Sequence, residues 1–252
     1  MKLVCIGDIH GLDLWKQIVN QEQDADQFIF VGDYFDSFEV PGLVQMQNFL
    51  DIIEFKKQSK AKVTLLIGNH DYHYFPEVDD TNTSGYQARL APSIKHLIGE
   101  NREHLQMAYS VGKFLFTHAG VSSDWLDDTI EDWCISTIAK DINELFKYKP
   151  LAFGYRSYRN AFDQTLFNSG YGEEIYQGPL WIRPKSLKKA NYDTLRHDVI
   201  QVVGHTPQRS IDIEGKATGG KYYFIDTLES GPREYLIIEN NKVKLGTWQK
   251  QS

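Results

Sequence analysis

Three short apolar runs govern what this chain can become, because each stops in the same way. "LVCI", "FIFV" and "VTLLI" are followed at once by a glycine and then by polar residues, in "GDIHG" (7–11), "GDYFD" (32–36) and "GNHD" (68–71). Unbroken apolar runs of this length read as strands buried on both faces, and the glycines let the chain turn sharply at their ends. Between them lie helical patterns, a short one near "LDLWKQIVN" and a longer one with Leu43, Met46, Phe49, Leu50 and Ile53 at intervals of three and four. Alternating strand and helix predicts an α/β domain with a largely parallel central sheet, whose strand carboxyl ends are where ligands gather.

The second half reads differently. "LQMAYSVGKFLFTHAG" predicts a hairpin turning near Gly112, and "TIEDWCISTIAKDINELF" a helix with Ile130, Cys134, Ile138, Ile142 and Leu145 on its core face. From about Pro150 to Pro184 no period is visible, which suggests a long connection of the kind that covers functional sites. Strands resume with "VIQVVGHTP"; "KYYFIDTL" and "EYLIIENNKVKLGTW" read as antiparallel, the latter turning at Asn240 and Asn241. With no repeat, linker or composition break, residues 1–252 are read as one domain.

Composition removes several alternatives. A net charge of −7 gives no general attraction to nucleic acid or to an acidic membrane, and the basic run "RPKSLKK" (183–189) reads as a solvated loop or helix start. No stretch approaches the roughly 20 apolar residues of a membrane span, and the first apolar run is too short for a signal-peptide core, so a cytoplasmic protein is expected. The 2 cysteines, Cys5 and Cys134, make no disulfide framework or zinc spacing and read as small buried hydrophobes.

Five glycine-punctuated strand ends carry Asp8 and His10, Asp33 and Asp36, Asn69 and His70, His118, and His205. A lone histidine after a strand is usually structural. The set in this order is different, because a carboxylate to bridge, several imidazoles and a neutral amide oxygen suit two adjacent divalent cations. Gly7, Gly32, Gly68 and Gly204 are expected to supply the backbone angles such turns need.

"GDIHG", "GDYFD", "GNHD", "THAG" and "GHTP" resemble, in order and spacing, the five motifs of the calcineurin-like metallophosphoesterase superfamily. The branch most similar holds the phosphoprotein phosphatases and diadenosine tetraphosphate hydrolases, and "FIDTL" (224–228) resembles its late "IDTG" segment. The resemblance implies a four-layer α/β sandwich, two packed mixed β-sheets flanked by helices. It also implies that Asp8, His10 and Asp33 bind one metal, and that Asp33, Asn69, His118 and His205 bind a second. Manganese is the first choice, with iron, zinc, nickel and cobalt as alternatives. Such a pair turns a bridging water into a hydroxide that attacks phosphorus directly. In the same pattern Asn69 contacts the substrate phosphate, and His70 protonates the leaving oxygen while Asp36 fixes its tautomer.

The pattern departs in one place. An arginine that grips the phosphate normally follows "GDxxD", and here Ser37 and Phe38 stand instead. "GPLWIRP" resembles a segment whose arginine reaches the active site, which makes Arg183 the first substitute, with Arg156 and Arg159 of "YRSYRN" behind it. Asp71 reads as structural and His73 as a solvated loop residue. The function expected is a dinuclear metal-dependent phosphomonoesterase acting on a phosphorylated small molecule, nucleotide or phosphoprotein, with phosphoserine or phosphothreonine among the candidates. The alternatives are a dinucleotide polyphosphate hydrolase or phosphodiesterase, and an inactive metal-binding scaffold.

Overall fold

A computed structural model of the chain describes residues 1–78, 83–155, 175–190, 195, 199–214, 221–229 and 231–248. The first three apolar runs form β1 (Lys2–Ile6), β2 (Gln27–Phe30) and β3 (Lys62–Leu66), joined through helices α1 (Leu14–Gln21) and α2 (Gly42–Gln58). These strands pair in parallel, Cys5 with Ile29 and Ile29 with Thr64. The short helix α3 (Asn69–Tyr72) follows β3, and α4 (Ala91–Asn101) leads into β4 (Leu105–Gln106). The hairpin of β5 (Ala108–Val111) and β6 (Phe114–Thr117) turns at Gly112, which has φ +56°.

Beyond the hairpin come helices α5 (Ser123–Thr129), α6 (Ile138–Tyr148) and α7 (Pro184–Ala190), then β7 (Ile200–Val203) and β8 (Tyr222–Phe224). A final hairpin joins β9 (Glu234–Glu239) to β10 (Lys242–Thr247). Its turn residues Asn240 and Asn241 have φ 51° and 62°, as the predicted two-residue turn requires. The strands form a six-stranded sheet, β10-β9-β1-β2-β3-β4, and a four-stranded one, β5-β6-β7-β8. Each mixes parallel and antiparallel pairs. This is the arrangement of two mixed sheets flanked by helices that the motifs implied.

Strand periodicity divides the core. Leu3 and Cys5 point between the sheets and pack with Ile29, Leu66, Phe116, Val202 and Leu236. Val4 and Ile6 point the other way, to Trp15, Ile18, Phe49 and Ile52 of the helices. Both faces of β1 are thus covered, which is why its sequence is apolar without alternation. Among the described residues no helix is long and apolar enough to cross a membrane.

Four expectations need correction. The buried face of α2 is Gln45, Asn48, Phe49, Ile52 and Ile53, while Leu43 and Leu50 are exposed. Hydrogen bonding turns the helix this way: Gln45 Nε2 donates to the carbonyls of Ser37 and Val40, and Asn48 joins the Trp15 indole to the carbonyl of Leu12. Strand β8 pairs with β7 in parallel. No single helix spans 129–146, because α5 ends at Thr129 and Asp132 takes a left-handed backbone with φ 56°. Cys134 therefore lies on an exposed turn, while Cys5 is buried as expected.

Candidate metal centre

The loops that follow β1, β2, β3, β6 and β7 are sewn to one another by backbone groups and carboxylates. The amides of Ile9 and His10 donate to the carbonyl of Asp33 at 3.2 and 2.7 Å. Asp71 accepts from the amides of Asp33, Tyr34 and Gly68 at 2.9, 2.8 and 2.8 Å, tying the second loop to the third. Both oxygens of Asp8 accept from the amide of His205, 3.1 and 2.9 Å away. The amide of Gly204 donates to the carbonyl of His118 at 2.7 Å.

Within this frame Asp33 occupies the middle. Its Oδ2 lies 3.7 Å from His10 Nε2 and 3.3 Å from His118 Nε2. Asn69 Oδ1 stands 2.8 Å from both His118 Nε2 and His205 Nδ1. Two groups of donors emerge, Asp8 with His10 and Asp33, and Asp33 with His118 and His205, the ligand atoms of each group lying within 4.8 Å of one another. His10, Asp33, Asp36 and His205 all adopt positive φ, at 42°, 54°, 64° and 67°. Of the four glycines expected to relieve such turns, only Gly32 does so by conformation, with φ +110°. Gly68 and Gly204 serve by having no side chain: a Cβ there would fall 2.1 Å from Asp33 Oδ1 and 1.9 Å from Asp8 Oδ1.

The electrostatics fit cations. Burial, and then the charge of Asp226, hold the Asp8 carboxyl well above its ordinary range. Burial alone would also raise Asp33, but His118, His70 and His10 around it bring it well below. Burial opposes a charge on His118, yet Asp33 and Asp8 push it up to about 10. Burial, His118 and Arg183 hold His205 well below the usual imidazole value, and its buried Nε2 has no hydrogen-bond partner among the described residues. Buried carboxylates that repel each other and an imidazole nitrogen with nothing to bind are the marks of a site shaped for metal.

Next to this cluster His70 Nδ1 lies 3.2 Å from Asp36 Oδ2, and its ring meets that of His10 edge-on with centroids 5.3 Å apart. Arg183 reaches the same mouth, where Nη1 donates to the carbonyl of His205 at 3.3 Å and to Thr206 Oγ1 at 3.1 Å. Arg156 and Arg159 lie outside the described residues. Ser37 Oγ accepts from the amides of Glu39 and Val40, closing a turn, and Phe38 is exposed. Two residues gained importance only in three dimensions. Asp226, in the "FIDTL" segment, is buried beside Asp8 and raised to about 7 by burial and by the charge of Asp33. His73, expected in solvent, is fully buried with Nε2 2.8 Å from Asp36 Oδ2.

Two mixed sheets between helices, with histidines and aspartates gathered where strands end, define a metal-dependent phosphoester hydrolase. The chain matches the calcineurin-like phosphoesterase family over residues 1–244, and it belongs to that family. Its fold is similar to that of the cold-active protein-tyrosine phosphatase of a psychrophilic Shewanella species, with TM-score 0.64 and 20% identity, covering 98% of this chain and 77% of that one. It is also similar to a protein serine/threonine phosphatase from Saccharomyces cerevisiae, with TM-score 0.56 and 14% identity, covering 100% of this chain and 81% of that one. No curated protein is a significant sequence match.

Proposed function

We propose that this protein is a phosphomonoesterase with a two-cation centre. Asp8, His10 and Asp33 would hold one cation, and Asp33, Asn69, His118 and His205 the other. When bound, the cations supply Lewis acidity, lowering the pKa of water and drawing charge from the phosphoryl oxygens. The observation that carries this reading is the position of Asp33 Oδ2, 3.7 Å from His10 Nε2 and 3.3 Å from His118 Nε2, where one carboxylate faces both halves of the donor set.

The chain's own groups divide the remaining work. Asn69 turns Oδ1 to the two imidazoles, which leaves Nδ2 to donate to a phosphoryl oxygen. Arg183 is held at the mouth by the His205 carbonyl and Thr206, and its guanidinium supplies the phosphate contact that Ser37 and Phe38 do not. His70 directs Nδ1 to Asp36, so Nε2 is the atom that gives its proton to the leaving oxygen. A buried site lined by these donors suits a dianionic phosphate. Both similar solved structures carry protein phosphatase names, so phosphopeptides belong among the substrates tested.

The test is to strip metal, restore manganese, and follow p-nitrophenyl phosphate hydrolysis in the wild type and Asp33→Asn. Metal content and turnover should fall together in the variant, by more than about 100-fold in turnover. Turnover by a metal-free Asp33→Asn protein overturns the reading. Faster cleavage of a dinucleotide polyphosphate than of every monoester would replace it with the anhydride reading.

A further inference from the structure

Asp36 is gripped on four sides. Tyr74 Oη and Gln87 Nε2 donate to Oδ1 at 2.7 and 3.2 Å, and the Gln87 amide donates to the same tyrosine oxygen at 2.9 Å. His70 Nδ1 and His73 Nε2 share Oδ2, at 3.2 and 2.8 Å. Of these last two, only His70 keeps side-chain exposure, 17% against 0% for His73.

His73 is an odd choice for mere packing. Its ring meets Tyr74 and Tyr86 edge-on at 4.3 and 5.3 Å, surroundings in which an aromatic hydrocarbon would pack without losing hydration. Its Nδ1 has no hydrogen-bond partner among the described residues. Nε2 lacks an aligned hydrogen bond, yet it sits 2.8 Å from a carboxylate oxygen. A bare lone pair would be repelled there, so Nε2 carries hydrogen and turns it toward the carboxylate. Among the described residues the one polar contact of this buried imidazole is therefore made to the carboxylate that orients His70.

We propose that His73 is a positioning residue for proton delivery to the leaving group: it pins Asp36 Oδ2, and through it the direction of His70 Nε2. The proposal rests on the reading of His70 as the leaving-group acid. In that step water adds its oxygen to phosphorus and releases a proton. The P–O bond to the leaving group breaks with its electron pair on the departing oxygen, which takes the proton of His70 Nε2. The released proton restores His70. Demand for His70 grows with the basicity of the departing oxygen, so misalignment harms alkyl phosphates and spares aryl phosphates that leave as stable anions.

The experiment compares kcat and KM of the manganese-loaded full chain for 2,4-dinitrophenyl phosphate and for an alkyl phosphate. His73→Phe keeps a ring without the N–H, His73→Asn is too short to reach Asp36, and His73→Gln can place an amide N–H near the Nε2 position. The Phe and Asn variants should lose about 10-fold in kcat on the alkyl ester, less than about 2-fold on the dinitrophenyl ester, with KM unchanged, and Gln should recover most of the loss. Should the Phe variant fail to fold, the Asn variant decides. Equal slowing of both esters, no slowing of either, or a Gln variant no better than Asn overturns the proposal. His70→Asn separates the two ideas. If it shows no leaving-group dependence, the acid assignment itself falls; if it shows that dependence while the His73 variants do not, only the role of His73 falls.

Discussion

The carbonyl oxygen of Phe35 lies 2.8 Å from His10 Nδ1. A carbonyl can only accept, so Nδ1 carries a hydrogen and Nε2 is the nitrogen that faces Asp33. The carbonyl of Val31 holds Nδ1 of His118 in the same way, also at 2.8 Å, and leaves its Nε2 facing Asp33. One segment, residues 31–36, thus supplies the central carboxylate and orients the imidazoles on either side of it. Orientation of this sort, by the nitrogen facing away from the donor cluster, is how protein sites ready histidine for a cation.

The two glycines packed against Asp8 and Asp33 give a direct test. Alanine at Gly204 or Gly68 would thrust a methyl into Asp8 or Asp33, so each variant should bind manganese at least about 10-fold more weakly and lose roughly 1–3 kcal/mol of stability. Gly99, in α4, has nothing within 4 Å of an added Cβ, and Gly99→Ala should gain about 0.5–1 kcal/mol with metal retained. Metal content after dialysis, measured beside thermal unfolding, distinguishes the sites.

The pH dependence of turnover follows from His70. Burial disfavours its charged form, but the carboxylates of Asp33 and Asp36 outweigh burial and raise it above the ordinary imidazole value. A raised pKa keeps the proton in place at higher pH, so the alkaline limb of kcat for an alkyl phosphate should lie above that value. Asp36→Asn removes one stabilising charge, and the limb should shift to lower pH. A limb that stays put in Asp36→Asn would show that another group sets it.

Arg183 should govern affinity for phosphate. Loss of a charge-assisted contact of about 1.5–3 kcal/mol predicts that Arg183→Ala raises the inhibition constant of inorganic phosphate about 10- to 100-fold. Arg183→Lys keeps the charge but loses the fork and should recover only part of the affinity. An unchanged inhibition constant in the Ala variant would remove Arg183 from the site.

The cysteines offer a check on the turn at 130–137. The hydroxyls of Ser136 and Thr137 pull the exposed Cys134 thiol below its ordinary pKa, whereas burial pushes Cys5 up. A thiol reagent should therefore modify one cysteine in the native protein and the second only after unfolding. Cys134→Ser should abolish the fast reaction and leave turnover intact. Two fast thiols would place Cys5 nearer the surface than the structure does.

The strand ends were legible because their chemistry is local: an apolar run, a glycine and a polar residue announce themselves without knowledge of the rest of the chain. The orientation of α2 was not, since Gln45 and Asn48 turn inward to satisfy carbonyls of loops that only the assembled fold brings near. His73 escaped for a similar reason. Its burial depends on Tyr86, and its partner Asp36 belongs to another motif. The parallel pairing of β8 likewise reflects which strand it meets, Val203 with Phe224, and apolar alternation encodes no direction.

The left-handed backbone at His10, Asp33, Asp36 and His205 sets durability against turnover. Each such residue costs about 1 kcal/mol that a glycine would not incur. Any programme that hardened this protein against heat by relaxing those positions would trade away the side chains for which the tension is kept. A more robust relative with glycine there would be expected to have lost its chemistry.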